Sequence, residues 1–202
     1  MKKLRIAFIA MAALIVAAGA LFGGLYLWAQ AGPPPLYVRY NLPDGEQTRH
    51  GMRSSYTYRM SSVDGFCLGT QPEYFNDPYY AYCTITATPG TQLRFIAAKT
   101  AWPGARLDKR LRTPAVQTEL ADCAVNNDHY GYPYLELEYL EYTRAANSRS
   151  FTLAVPEKPP GYYILRFSVN YQMDWFGQLL NFFDLLGVQH VTYYFYLYIE
   201  NI

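Results

Sequence analysis

Three histidines are the first residues of this chain that could do chemistry. His50, His129 and His190 equal in number the protein ligands of a three-histidine catalytic metal site. They are far apart in sequence, without the H-x-H or H-E-x-x-H spacing that places two ligands side by side. Each also lies near a predicted turn or strand end. We therefore interpret them as solvated loop residues and predict no metal site and no cofactor.

The carboxylates are the next candidates, because two of them close together can act as general acid and base. Glu136 and Glu138 alternate with Leu135 and Leu137, which places both carboxylates on the solvated face of a predicted strand. The chain also has no G-x-S-x-G elbow, no P-loop and no G-x-G-x-x-G motif. The sequence predicts a protein that is not an enzyme. An envelope hydrolase or metalloenzyme with a dispersed site remains an alternative.

The cysteines indicate a compartment rather than a reaction. Cys67, Cys83 and Cys123 are an odd number, and no C-x-x-C pair is present. In an oxidising compartment we favour a Cys67–Cys83 disulfide, because this pair closes the shortest loop. The two pairings that involve Cys123 remain open, and the third cysteine is a free or intermolecular thiol.

The N-terminal segment, residues 1–31, has the pattern of a membrane anchor. Lys2, Lys3 and Arg5 precede 24 residues without a charge, from Ile6 to Ala29. A helix of that length spans the hydrocarbon core of a bilayer. Basic residues on its N-terminal side stay in the cytoplasm, which predicts an inner-membrane protein whose remaining chain is periplasmic or extracellular.

A cleavable signal peptide is the alternative for the same segment. Ala29-Gln30-Ala31 fits a small-x-small cleavage pattern and would leave Gly32 as the new N-terminus. The apolar run is, however, much longer than the 7–15 residues typical of a signal peptide. We therefore favour an uncleaved single-pass anchor.

Composition limits what the rest of the chain does. With 51% apolar and 16% charged residues, the chain has ample apolar surface to bury, so disorder is excluded. A net charge of +1 offers no basic excess for nucleic acid. The prolines of residues 32–36 predict a short, stiff spacer that lifts one domain, residues 37–202, off the bilayer.

Alternation with period two makes that domain mainly β. It is clearest near the C-terminus, where apolar Val191, Tyr193, Phe195, Leu197 and Ile199 share one face. Similar patterns predict strands over 37–42, 54–61, 82–88, 91–98, 115–120, 135–139, 151–155 and 163–169. Many short strands separated by Pro/Gly turns favour an antiparallel β-sandwich.

One corner of this pattern has a family resemblance. A strand at 151–155, the turn Pro159-Pro160-Gly161 and a tyrosine opening the next strand are similar to the E–F corner of immunoglobulin-like sandwiches. The resemblance implies that the hydroxyl of Tyr162 or Tyr163 bonds back to the turn. It implies an immunoglobulin-like fold and no function, because such folds serve many functions.

Residues 173–186 break the β pattern with one inserted amphipathic helix, followed by Gly187. Polar residues recur there at helical spacing, but the apolar surface is wider than one sheet covers. A binding partner would cover the remainder. The partner-binding residues that we predict here are Trp175, Phe176, Leu179, Phe182 and Phe183.

Tyrosine is the most unusual component, at 21 residues. Tyr194, Tyr196 and Tyr198 form a predicted outward row, which completes the partner-binding set. Tyr130, Tyr132 and Tyr134 form a second cluster, and further tyrosines cluster at Tyr74, Tyr79, Tyr80 and Tyr82. Such rings suit a protein interface and also stack on sugars, whereas cross-strand pairing within the sheet is the structural alternative.

Together these patterns predict a membrane-anchored, extracytoplasmic interaction subunit of an envelope complex. Its expected partners are the membrane and envelope proteins, and nucleic acid is excluded. A carbohydrate-binding module for envelope glycans is the alternative function.

Overall fold

The computed structural model describes residues 2–30, 32–58, 61–63, 77–97, 115–122, 138–144, 150–171 and 189–201. Helix α1, Lys2–Gln30, is followed by strands and one short 3₁₀ helix, Pro78–Cys83. The strands are β1 Leu36–Leu42, β2 Gly45–His50, β3 Met52–Tyr58, β4 Ser61–Val63, β5 Thr84–Ala87, β6 Gln92–Ala97, β7 Ala115–Asp122, β8 Glu138–Tyr139, β9 Thr143–Arg144, β10 Ser150–Ala154, β11 Gly161–Tyr171 and β12 Gln189–Ile199.

Helix α1 forms where the uncharged run predicts it. The span Arg5–Gly24 is long and apolar enough to cross a membrane, and none of it is buried against the rest of the protein. A membrane anchor and a signal sequence share these properties. The chain therefore has one N-terminal apolar helix that needs a cover other than its own domain.

The smaller sheet has five antiparallel strands in the order β2-β1-β6-β10-β9. The β1–β2 hairpin turns at Pro43 and Asp44, and Gly45 takes a φ of 130° that an L side chain would strain to adopt. Leu36, Val38 and Tyr40 alternate into the core, as period-two patterning predicts for β1.

The larger sheet has seven strands, with β12 near its centre. The order is β4-β3-β12-β11-β7-β8. Strand β5 also pairs with β12, in parallel, beyond the point where β3 ends its pairing. The chain is thus mainly β, with two sheets whose other pairings are antiparallel in the described parts.

The two sheets pack face to face around aromatic rings. Phe95 of the small sheet lies with its ring centroid 4.4 Å from that of Phe167 and 5.3 Å from that of Phe195, both in the large sheet. Phe151 stacks on Phe95 at 5.1 Å. Arg49 closes one edge of the sandwich, because its Nε donates to the carbonyl oxygen of Thr84 at 2.9 Å.

The corner between β10 and β11 is fixed as the resemblance implies. The Tyr163 hydroxyl donates to the carbonyl oxygen of Pro159 at 2.8 Å, so Tyr163 rather than Tyr162 makes the bond. Tyr162 instead stacks on Tyr198 at 4.8 Å. This corner ties the turn to the core.

The segment after α1, residues 32–35, packs onto the domain. Pro33 and Pro34 are buried. The Tyr193 hydroxyl donates to the carbonyl oxygen of Pro34, and Arg53 Nη1 donates to that of Pro33 at 2.9 Å. Because the carbonyls of the segment find partners in the large sheet, it lies on the domain with little slack.

Candidate functional site

Five of the predicted partner-binding residues lie outside the described part of the chain: Trp175, Phe176, Leu179, Phe182 and Phe183. The described strand ends on either side of them, Tyr171 and Gln189, are paired with each other. Gln189 is at the end of β12 that is nearer to Tyr193 and its partner Pro34. Ile199, at the opposite end of β12, pairs with Gly161. The role of these five residues stays a prediction.

The C-terminal tyrosine row is present but is not an open face. Tyr196 is fully buried, which corrects the expectation that it faces outward. The ring of Tyr80, from the 3₁₀ helix, covers it edge-on with 5.5 Å between centroids. Tyr194 and Tyr198 are half-buried. Tyr196 therefore supports the 3₁₀ helix, whereas the partner-binding role of Tyr194 and Tyr198 stays a prediction.

The 3₁₀ helix carries the exposed tyrosines instead. Asp77 caps it, accepting a hydrogen bond from Tyr79 N at 2.8 Å, and Pro78 occupies the first turn, where a missing N–H costs nothing. Tyr79 is 71% exposed and Tyr82 is 43% exposed. The Asp77-Pro78 pair is a helix-start signal, which alternation with period two does not detect.

Cys83 anchors the other end of this helix. It is a free, fully buried thiol that donates to the carbonyl oxygen of Tyr80 at 3.2 Å. Burial raises the pKa of the Cys83 thiol from 9.0 to about 12. Cys67 and Cys123 lie outside the described residues, but Cys83 itself is free, so the predicted Cys67–Cys83 disulfide is not seen in the structure.

An open pocket of about 510 Å³ lies between the 3₁₀ helix and the point where the segment after α1 enters the domain. Its described lining is Pro35, His50, Gly51, Met52, Arg53 and Tyr82. The volume falls within the range typical of small-ligand sites. This pocket, together with the exposed Tyr79 on the same 3₁₀ helix as Tyr82, forms the candidate site.

Two polar side chains of the lining, His50 and Arg53, are held by neighbours. The His50 ring lies edge-on to Tyr37, with 4.5 Å between centroids. Arg53 is positioned by its bond to Pro33. Burial raises the pKa of the Tyr82 phenol, with a further contribution from Cys83.

A second polar group lies on the outer face of the large sheet and is structural. Glu119, 2% exposed, forms an ion pair with Arg166 and accepts a hydrogen bond from Gln117 Nε2 at 2.7 Å. Burial acts to lower the pKa of Arg166, but its hydrogen bond with Glu119 prevails and raises it. Each charge neutralises the other, which leaves little for a ligand.

Metal ligands do not converge in the described ranges. No group of three or more His, Cys, Asp or Glu side chains there is arranged to hold a metal ion. His190 Nδ1 lies 2.8 Å from Asn170 Oδ1, an ordinary cross-strand contact. His129 lies outside the described residues, so an arrangement of all three histidines is not tested.

No protein-family model matches the chain, and a search of curated proteins finds none that matches. The functional conclusion therefore depends on the geometry of the site and on helix α1.

Proposed function

We propose that this protein is a membrane-anchored, extracytoplasmic interaction subunit of an envelope complex. In this proposal α1 stays in the inner membrane, Lys2, Lys3 and Arg5 remain cytoplasmic, and the sandwich faces the periplasm or the cell exterior. One observation carries it: an exposed apolar helix is followed directly by two prolines, Pro33 and Pro34, that are buried against the domain.

The anchor is supported by what the helix needs. An apolar helix with its whole 20-residue span uncovered is costly in water and stable in lipid. The packed prolines add a geometric reason, because a folded domain that grips the chain next to the helix stays close to the bilayer. A subunit held in this way meets partners within the same membrane.

The partner surface is supported by the exposed tyrosines of the 3₁₀ helix. Outside α1, the large apolar side chains that are exposed in the described ranges are three tyrosines: Tyr79, Tyr82 and Tyr139. Rings of this type supply contact area and a hydrogen-bonding tip, and they are enriched at interfaces. We propose that the predicted partner-binding residues between 175 and 183 contact the same partner.

Site-specific photocrosslinking in native membranes tests the proposal. A photoreactive amino acid at position 79 is expected to give one discrete adduct with an envelope protein. The same group at position 41 is the matched control, because Asn41 is exposed on the outer face of the other sheet. Release of the chain from membranes by alkaline carbonate, or equal adducts at both positions, would contradict the proposal.

A carbohydrate-binding module is the second candidate, and the exposed ring of Tyr79 favours it. Sugar rings stack on flat aromatic surfaces such as this one. Retention on envelope polysaccharide that is lost on Tyr79→Ala and kept on Asn41→Ala would support it. Tyr196→Ala is unsuitable for this test, since the buried ring supports the 3₁₀ helix.

We also propose that the sandwich is immunoglobulin-like. The bond from Tyr163 to Pro159 supports this, because immunoglobulin-like domains fix the same corner with a tyrosine.

A further inference from the structure

The pocket beside the 3₁₀ helix combines three features of an anion site. Arg53 carries only donors, five N–H groups in all, and one of them is used on Pro33. The Tyr82 phenol is a second donor, and the His50 ring is a third polar group in the lining. No carboxylate belongs to the described lining.

The surroundings strengthen the positive potential of this pocket. Arg39 and Arg94 are directly opposite each other on the middle strands of the small sheet, and both are exposed. Like charges opposite each other destabilise a sheet unless an anion offsets them. Arg39 pairs with Thr48, two residues before His50, so this charge lies one row of side chains from the pocket.

Exposed acids gather at the other end of the strands. Asp44 lies in the β1–β2 turn, Glu157 follows the end of β10 and Glu200 follows the end of β12. The backbone bond from Glu200 N to the carbonyl oxygen of Ala87 confirms that β5 and β12 finish together. These three carboxylates, with Lys158 at the same end of the strands, are remote from Pro35.

The chain length between helix and pocket limits where the pocket can be. Pro35 lies five residues after the end of α1 at Gln30. Five residues span at most about 18 Å, and the two buried prolines hold them in place. If α1 lies in the membrane, the pocket opens close to the headgroup layer.

We infer that this pocket binds phosphate through Arg53, His50 and Tyr82, and that the phosphate belongs to the headgroup of an anionic phospholipid. The phosphate site depends on the pocket alone. The lipid source rests on the proposed membrane anchoring. Charge-assisted hydrogen bonds from a guanidinium to phosphate are the strong contacts that such a site uses.

The first arm of the test does not need a bilayer. The full chain in detergent micelles is titrated with inorganic phosphate and with glycerol 3-phosphate. We expect saturable binding that His50→Gln and Arg53→Gln each weaken at least about tenfold, since a hydrogen bond to a charged group is worth that much. Lys158→Gln is the control, because Lys158 lies at the opposite end of the strands and pairs with Glu138; it should leave binding within twofold.

His50→Gln keeps the test decisive if Arg53→Gln disturbs the segment at Pro33. His50 is exposed and makes its described ring contact with Tyr37 alone, so this variant should fold. Absence of saturable phosphate binding in the wild type overturns the phosphate site. Equal weakening by Lys158→Gln and His50→Gln also overturns it, because it would indicate diffuse surface charge.

The second arm identifies the source. The full chain is placed in nanodiscs of phosphatidylcholine, with or without phosphatidylglycerol, and hydrogen exchange is followed at residues 50–53. Protection that requires phosphatidylglycerol, and that His50→Gln removes, supports the lipid headgroup. Phosphate binding in micelles without this protection overturns the lipid source and leaves a soluble phosphate ligand. Binding in micelles by a chain that carbonate releases from membranes would refute the proposed anchoring alone.

Discussion

The hydroxyl of Tyr193 donates to the carbonyl oxygen of Pro34, 159 residues earlier in the chain. Both residues are buried, and Tyr193 belongs to the central strand of the larger sheet. One phenol therefore joins the segment after helix α1 to the core of the domain. This bond, with the one from Arg53 to Pro33, distinguishes a domain gripped at its entry from one on a flexible tether.

Removing that hydroxyl should loosen the entry of the chain. In Tyr193→Phe the buried carbonyl of Pro34 loses its partner, which costs about 1–2 kcal/mol. The free energy of unfolding measured by urea denaturation should fall by that amount, and proteolysis near residue 33 should accelerate. Tyr198→Phe keeps the stacking on Tyr162 and should change stability by less than about 0.5 kcal/mol. Equal losses in both variants would contradict the role of the bond.

Gly51 joins the two sheets at a place with no room for a side chain. A Cβ atom there would lie 2.8 Å from Cζ and 2.9 Å from Cε2 of Phe195, a fully buried ring. Gly51→Ala should therefore destabilise the fold by about 1–3 kcal/mol. Adding Phe195→Leu should recover part of the loss in a double-mutant cycle. Strictly additive effects in thermal denaturation would show that the two residues do not clash.

Removing the cation of the ion pair on the outer face of the large sheet should lower the stability of the protein. Arg166→Met leaves the buried carboxylate of Glu119 without its cation, at a cost of about 2–3 kcal/mol. Replacing both, as Glu119→Leu with Arg166→Met, should cost less than the single change because no charge is left buried. Urea denaturation of the three variants measures this order, and the reverse order would contradict it.

The Cys83 thiol should be unreactive and should respond to alkaline pH. Its pKa is raised to about 12, so it stays protonated in the folded protein at pH values where the unfolded thiol, near 9.0, ionises. Its contribution to stability is therefore complete below about pH 9 and is lost as pH rises towards 12. Cys83→Ala should lose less stability than the wild type over that range.

Alkylation gives an independent readout of the same thiol. In a chain with Cys67→Ser and Cys123→Ser, Cys83 should react with iodoacetamide at pH 8 only after unfolding, because it is fully buried. A Cys67–Cys83 linked peptide in a non-reducing digest of the wild type would show instead that the disulfide predicted from sequence forms.

The strands that bury one face could be predicted from the sequence, whereas the edge strand β2 could not. Apolar alternation locates β1, β6, β10, β11 and β12 within one or two residues of their ends. It misses β2, whose sequence Gly45–His50 has no apolar alternation because an edge strand buries little of either face. Local pattern reports burial, so it fails where a strand is held mainly by its backbone bonds to a neighbour.

The candidate site shows the same limit at the level of single residues. The two faces of β12 follow from its alternation, but the burial of Tyr196 does not, because its cover comes from Tyr80, 116 residues away in sequence. The pocket likewise joins residues 50–53 to Tyr82, about 30 residues later, a pairing that no spacing in the sequence indicates. The burial of Tyr196 and the pocket both depend on tertiary packing. The Asp77-Pro78 pair signals where the 3₁₀ helix starts, but not what this helix covers.

The position of β12 has a consequence for biosynthesis. This strand pairs with β3, β5 and β11, so the larger sheet has no centre until residues 189–199 are synthesised. Helix α1 leaves the ribosome long before that. In the anchored protein it would enter the membrane while the sandwich is still open, and the long-range pairings of β12 would close the domain at the bilayer surface. Interrupting translation before residue 189 should therefore leave an inserted chain with an unfolded, protease-sensitive domain.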